Sequence, residues 1–202
     1  MKLYYLPGAC SLADHIALEW IGQPYEAEAV AREALQSPEY LALNPLGSVP
    51  CLTDGSFSLT QNVAILYYLA EKHPEAELFG GQDAQVKADA MRWLAFCNSD
   101  LHEAFVPIFA PTRFIDQESA HADLQAKARE KILRLLGVAN KALAGKDYFV
   151  GKRSVADAYL FVILRWCQGV GIDLADFPNL SALRERMSQD PAVKTAMAQE
   201  GL

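Results

Sequence analysis

LYYLPGACSLADHIALEWIG, residues 3–22, passes from a strand to a helix within one turn. Leu3-Tyr4-Tyr5-Leu6 is short, aromatic and β-prone, and Pro7-Gly8 closes it. Leu12, Ile16, Ala17 and Trp20 then recur at i, i+4, i+5 and i+8, a helical period over residues 11–21, and Gly22 supplies the stop. Pro24 follows, with a strand predicted over Tyr25 to Val30. Ser48 to Leu52 and Ser56 to Leu59 read as two short strands joined by the turn Thr53-Asp54-Gly55. Thr60 is placed to cap a helix that carries Ile65, Leu66 and Leu69 and ends near His73-Pro74. The order is β-α-β, a mainly irregular or short helical stretch, then β-β-α.

Beyond Gly80-Gly81 the strand signals nearly vanish. Met91, Leu94, Leu101, Phe105 and Ile108 keep a helical period from Asp83 to about Phe109, and Leu124, Ala128, Ile132, Leu135, Ala139 and Leu143 continue it over residues 122–144. Ser154-Val155-Ala156-Asp157 opens a further helix with a capping-box-like pattern in which Asp stands where Glu or Gln is usual. That helix, Val155 to Cys167, is apolar on most faces and is expected at the centre of the second half. Helices over residues 179–188 and 191–199 finish the chain. Two domains are expected: a small α/β unit, residues 1–79, and an all-α unit, residues 84–202.

The chain has 202 residues, of which 51% are hydrophobic and 21% charged, the composition of a globular protein with a sizeable core. Its net charge of −7 and the lack of a basic run argue against general nucleic-acid binding, which needs clustered Lys and Arg. The longest apolar run, Ala158 to Leu164, is far short of the roughly 20 residues of a membrane span. No signal peptide is readable, and Cys10, Cys51, Cys97 and Cys167 are too widely spaced for a CxxC pair or a zinc site. Free thiols in a cytoplasmic protein are the expectation.

Cys10 is the sharpest feature. A thiol at the start of a helix faces the positive end of the dipole and free N–H groups, which favour the thiolate, and Ser11 could bring a hydroxyl to the same end. The position equally suits a small buried hydrophobe. Val49-Pro50 could be a cis bond that turns the Val49 backbone outward for strand-like pairing with an extended ligand, or an ordinary trans Pro at a strand edge. Thr60-Gln61-Asn62 could hold a carboxylate at a helix start, or merely cap the helix. Ala95, Ser99, His102 and Val106 share a helical face with Asp100 nearby, so His102 is either a catalyst or a surface or structural residue. His15, His73 and His121 show no partner spacing, and no metal site is expected. Cys51, Cys97 and Cys167 read as structural.

Taken together and in order, Pro7-Gly8-Ala9-Cys10-Ser11, Asn44-Pro45-Leu46-Gly47-Ser48-Val49-Pro50, Leu59-Thr60-Gln61-Asn62-Val63-Ala64-Ile65, Leu101-His102 and Ala156-Asp157-Ala158-Tyr159 resemble the glutathione transferases, specifically the bacterial beta class. The resemblance covers essentially the whole chain. It implies a thioredoxin-like βαβαββα domain, an all-α helical bundle, a homodimer, and glutathione as co-substrate with no further cofactor. By the same resemblance Cys10 lies beside the glutathione sulfur and can form a mixed disulfide with it, and Val49, before Pro50, pairs with the cysteinyl part. Gln61 and Asn62 hold the γ-glutamyl end, and Ser99 and His102 line the other side of the cleft. Ser154 and Asp157 match a capping motif of folding rather than catalysis.

Two departures stand out. The acidic residue of the family's pair is Gln61 here, so one negative charge is missing; Asp100 of a second subunit is a candidate to supply it. The Lys expected at the glycyl carboxylate has no clear counterpart, and Arg32 is the nearest cation. The expected reaction is attack of a glutathione thiolate on a hydrophobic electrophile, with Cys10, Ser11 and His102 as catalytic candidates and Phe105, Phe109, Phe114, Tyr159 and Trp166 as candidates for an apolar wall. Two alternatives accompany it: glutathione-dependent thiol–disulfide exchange or reductive dehalogenation through Cys10, and a noncatalytic ligand- or partner-binding module.

Overall fold

The computed structural model describes residues 1–202. Strand β1 (Lys2–Tyr5), helix α1 (Leu12–Ile21) and strand β2 (Glu26–Ala29) form the expected β-α-β unit. Residues 32–36 make a 3₁₀ turn that leads into α2 (Pro38–Leu43), followed by β3 (Cys51–Asp54), β4 (Phe57–Thr60) and α3 (Asn62–Lys72). The sheet order is β2-β1-β3-β4, with β1 and β2 parallel and the other two pairs antiparallel. Leu3 and Tyr5 of β1 enter the main core, while Tyr4, on the opposite face, packs edge-on against Tyr40 of α2.

Two local expectations are corrected. The β3–β4 turn is Gly55-Ser56 rather than Thr53-Asp54-Gly55, and the first of the two strands starts at Cys51, after Pro50. A proline lacks the N–H a ladder needs, so pairing begins one residue past it. Thr60 does not cap α3: it is paired with Cys51 in the sheet, and Gln61 takes the cap position with no side-chain bond.

The second half is helical: α4 (Ala84–Ala95), a π-helical segment (Phe96–His102), α5 (Glu103–Phe109), α6 (His121–Ala142), α7 (Val155–Gly169), α8 (Pro178–Gln189) and α9 (Pro191–Gln199). Val155 to Leu164 are all buried, so α7 is the axis of this half. The predicted cap forms: Asp157 Oδ2 accepts from Ser154 N and Ser154 Oγ, both at 2.8 Å, and Oδ1 accepts from Phe149 N at 3.0 Å. One core of 46 buried residues runs through both halves, because α1 packs on α7 and α9 as well as on its own sheet. No helix is long and apolar enough to cross a membrane.

Candidate active site

A cleft of about 770 Å³ opens where the ends of β1 and β4 and the start of β3 meet the π segment and α5. Its first-half wall is the Leu6–Cys10 loop, Arg32, Gly47 to Pro50 and Thr60 to Asn62. Its second-half wall carries Asn98, His102, Glu103, Phe109, Arg113 and Trp166.

The loop before β3 is held from below. Buried Asn44 donates from Nδ2 to Ser48 O at 2.6 Å, Tyr40 donates to the same carbonyl at 2.8 Å, and Leu46 N donates to Asn44 Oδ1 at 3.0 Å. Gly47, at φ +57°, has no room for a side chain: a Cβ there would stand 2.9 Å from Leu35 O. The Val49–Pro50 bond is cis. Val49 O accepts from the Cys10 thiol at 3.6 Å, while the Val49 N–H has no partner within the chain.

Cys10 departs from the thiolate expectation. It is 8% exposed, and burial pushes its thiol up to about 12, although the Cys10 and Ser11 N–H groups act in the opposite sense. Desolvation outweighs the helix end here. The thiol is therefore neutral near pH 7. Ser11 is fully buried, and its hydroxyl pairs with Leu6 N at 3.3 Å and Leu6 O at 3.4 Å, so it ties the loop closed instead of facing the cleft.

Gln61 is exposed at the cleft with φ 75° and ψ 117°, a conformation that costs a non-glycine residue about 1–3 kcal/mol. Asn62 behaves differently. Its amide nitrogen, oriented to satisfy both acceptors, donates to Cys10 O at 3.1 Å and Asp14 Oδ2 at 2.6 Å, so the side chain points into the protein. Asp14 is fully buried, and its carboxyl sits well above the usual range because burial disfavours the charge.

Across the cleft, Tyr159 donates its single proton to Asn98 Oδ1 at 3.1 Å, so its oxygen accepts from His102 Nδ1 at 2.8 Å. This network assigns the neutral ring's lone pair to Nε2, which has no protein partner. Burial holds His102 below the ordinary histidine value. His102 also lies edge-on to Trp166 at 4.8 Å between ring centres, and Trp166 stands 5.5 Å from Phe109. Trp166 Nε1 donates to Gly8 O at 2.8 Å, fixing the aromatic wall to the loop that leads into Cys10.

Two family models match the chain: the glutathione S-transferase N-terminal domain over residues 1–71 and the glutathione S-transferase C-terminal domain over residues 96–191. Glutathione S-transferase GST-4.5 of Xanthomonas campestris is 42% identical over 203 residues, covering 100% of both chains. The chain belongs to the glutathione S-transferase family. A sphingomonad glutathione S-transferase solved in complex with glutathione is 40% identical with a TM-score of 0.88, over 100% of both chains. A beta-class glutathione S-transferase of Sphingomonas chungbukensis is 38% identical with the same TM-score of 0.88, again over 100% of both chains.

In this transferase the cleft gathers Cys10, Arg32, Val49, Pro50, Gln61, Asn62 and His102. It does not gather Ser11, Ser99 or Asp100. Ser99 and Asp100 are exposed and lie outside it, because the wider π turn brings Asn98, His102 and Val106 to the cleft and rotates Ser99 out. Among the aromatic candidates, Phe109 and Trp166 line the cleft, Phe105 and Tyr159 are fully buried, and Phe114 is exposed elsewhere. Asn98, Glu103 and Arg113 were not legible beforehand. The only sequence signal for Arg113 is a cation shortly after the Phe105–Phe109 face.

Proposed function

We propose that this transferase binds glutathione chiefly through residues 1–79 and conjugates its thiolate to hydrophobic electrophiles held against residues 84–202. The observation that carries this reading is the juxtaposition in one cleft of the unpartnered Val49 N–H beside Cys10 with the free Nε2 of His102 and the Phe109–Trp166 wall. An extended thiol tripeptide pairs with the Val49 backbone, which sets its sulfur near Cys10. The start of α3, with Gln61, takes the γ-glutamyl end through backbone N–H groups, and Arg32 takes the glycyl carboxylate. Asn62 contributes its backbone, since its side chain is committed to Cys10 O and Asp14.

In the reaction the thiol proton passes to His102 Nε2, sulfur bonds to the electrophilic carbon, and the leaving group departs with its electron pair. The binding energy holds both reactants at bonding distance in a partly dry site. Cys10 is not the nucleophile of this step, because the tripeptide brings its own thiol. The working form is a homodimer in which the exposed Asp100 of a second copy supplies the negative charge that Gln61 lacks.

The test is the initial rate of conjugation to a chlorinated dinitrobenzene, for wild type and Cys10→Ala side by side, with mass spectrometry after exposure to oxidised glutathione. Cys10→Ala is expected to keep conjugation and to lose the glutathione mixed disulfide. Loss of both in a folded variant would sink the division of roles. A folded wild type with no rate would sink the transferase reading itself.

A further inference from the structure

On the side of α7 away from the cleft, two arginines stand without a carboxylate. Arg92, Arg153 and Arg186 all reach an aspartate. Arg165 does not: it is half-buried, and its Nη1 meets only the Met197 sulfur at 3.1 Å. Arg184 on α8 is half-buried too and makes neither a hydrogen bond nor an ion pair. Both line one groove of about 520 Å³ between α7, α8 and α9, together with Gln168, Ser188 and Met197 and with no acidic residue in its wall. An adjoining hollow of about 450 Å³ shares Gln168 and Arg184. Its carboxylate, Asp173, is engaged by Ala175 N at 3.0 Å. Glu200, the acid whose field reaches Arg165, is already held by Gly8 N and His15.

A guanidinium taken partly out of water without a partner is unfavourable, and two such groups in one groove have a shared remedy. We propose that this groove is a binding site for a small organic anion, with its carboxylate or sulfonate bound by Arg165 and Arg184 and its apolar body against Met197. The size lies within the range of small-molecule sites. The site is separate from the cleft, although Trp166, the next residue along α7, belongs to the cleft wall.

The experiment is calorimetric titration of the full chain with 1-naphthalenesulfonate, in wild type, Arg184→Gln and Arg165→Gln, with S-hexylglutathione present throughout to occupy the cleft. Binding in the wild type is expected to weaken about tenfold or more in each variant, the scale of a lost hydrogen bond to a charged group. Conjugation activity of Arg184→Gln should be unchanged. Arg184→Gln replaces a group with no internal partner, so it stays informative even where Arg165→Gln perturbs folding. Equal affinity in wild type and Arg184→Gln would overturn the assignment. Inorganic phosphate binding as tightly as the naphthalenesulfonate would overturn the organic character of the ligand.

Discussion

In the proposed reaction His102 accepts the thiol proton at Nε2. Tyr159 and Asn98 fix the ring so that Nδ1 donates and Nε2 is left as a base, and burial keeps the ring neutral below the ordinary value of 6.5. The depressed value sets the sign. Above it the base is available, and as pH falls through it the ring takes a proton and the base is lost. The kcat/KM profile for conjugation should therefore show an acid limb with its inflection below pH 6.5. His102→Gln should remove that limb and lower kcat/KM by about 10²-fold. A variant that keeps the wild-type acid limb would assign it to another group. Cys10 shows how far residue-level reading reaches. Its place before α1 was legible, but the sign of its shift was not, because burial by Val49 and the rest of the loop is a tertiary fact.

At the scale of elements, most of the fold was legible because the periods are clean. The β-α-β and β-β-α orders, the break after Gly80-Gly81 and the apolar axis of α7 all follow from local pattern. The break of the α4–α5 pattern into a π segment was not, since apolar spacing cannot report an i→i+5 bond, and that single shift moved Asn98 into the cleft and Ser99 out of it. The Ser154–Asp157 cap was legible and carries a measurable consequence. Asp157 titrates near 3.8 in an unfolded chain, whereas burial pushes it up to about 6 in the folded one. Between those values the folded state holds the extra proton, so this group's contribution to stability is full below about pH 3.8 and declines as pH rises to about 6. Asp157→Asn keeps an acceptor but cannot titrate, so its stability relative to wild type should improve between pH 4 and 6.5 by up to about 3 kcal/mol. Asp157→Ala, which leaves Phe149 N and Ser154 N without their acceptor, should cost about 2–4 kcal/mol at neutral pH. Urea unfolding across that pH range measures both, and parallel curves for Asp157→Asn and wild type would contradict the assignment.

The whole molecule is tied together at the chain's last residues, and that tie ends at the cleft. Glu200 Oε1 pairs with His15 Nδ1 of α1 at 3.0 Å, and Glu200 Oε2 accepts from Gly8 N at 2.8 Å. Tyr5 adds a bond to Gln199 O at 3.2 Å. Nothing in sequence spacing connects residue 200 with residues 8 and 15, and His15 gave no sign of a partner. The Gly8 peptide is thus gripped from both ends, its N–H by Glu200 and its carbonyl by Trp166, two residues before Cys10. Glu200→Ala removes the acceptor of the buried His15 Nδ1 and of the part-buried Gly8 N–H, although Gln199 Oε1 still holds His15 Nε2, and leaving such a donor unsatisfied costs about 1–3 kcal/mol. The same change frees the loop that sets the cleft, so kcat/KM for conjugation should fall with stability even where the variant remains folded. Glu200→Gln, which preserves an acceptor for Gly8 N and matches the carboxylate in shape, should recover most of the activity and part of the stability. Urea unfolding and conjugation rates on the same preparations separate the two effects. A Glu200→Ala protein within about 1 kcal/mol of wild type would show that the C-terminal tie contributes little, and an unchanged rate would show that the Gly8 loop holds its shape through Trp166 and Ser11 alone.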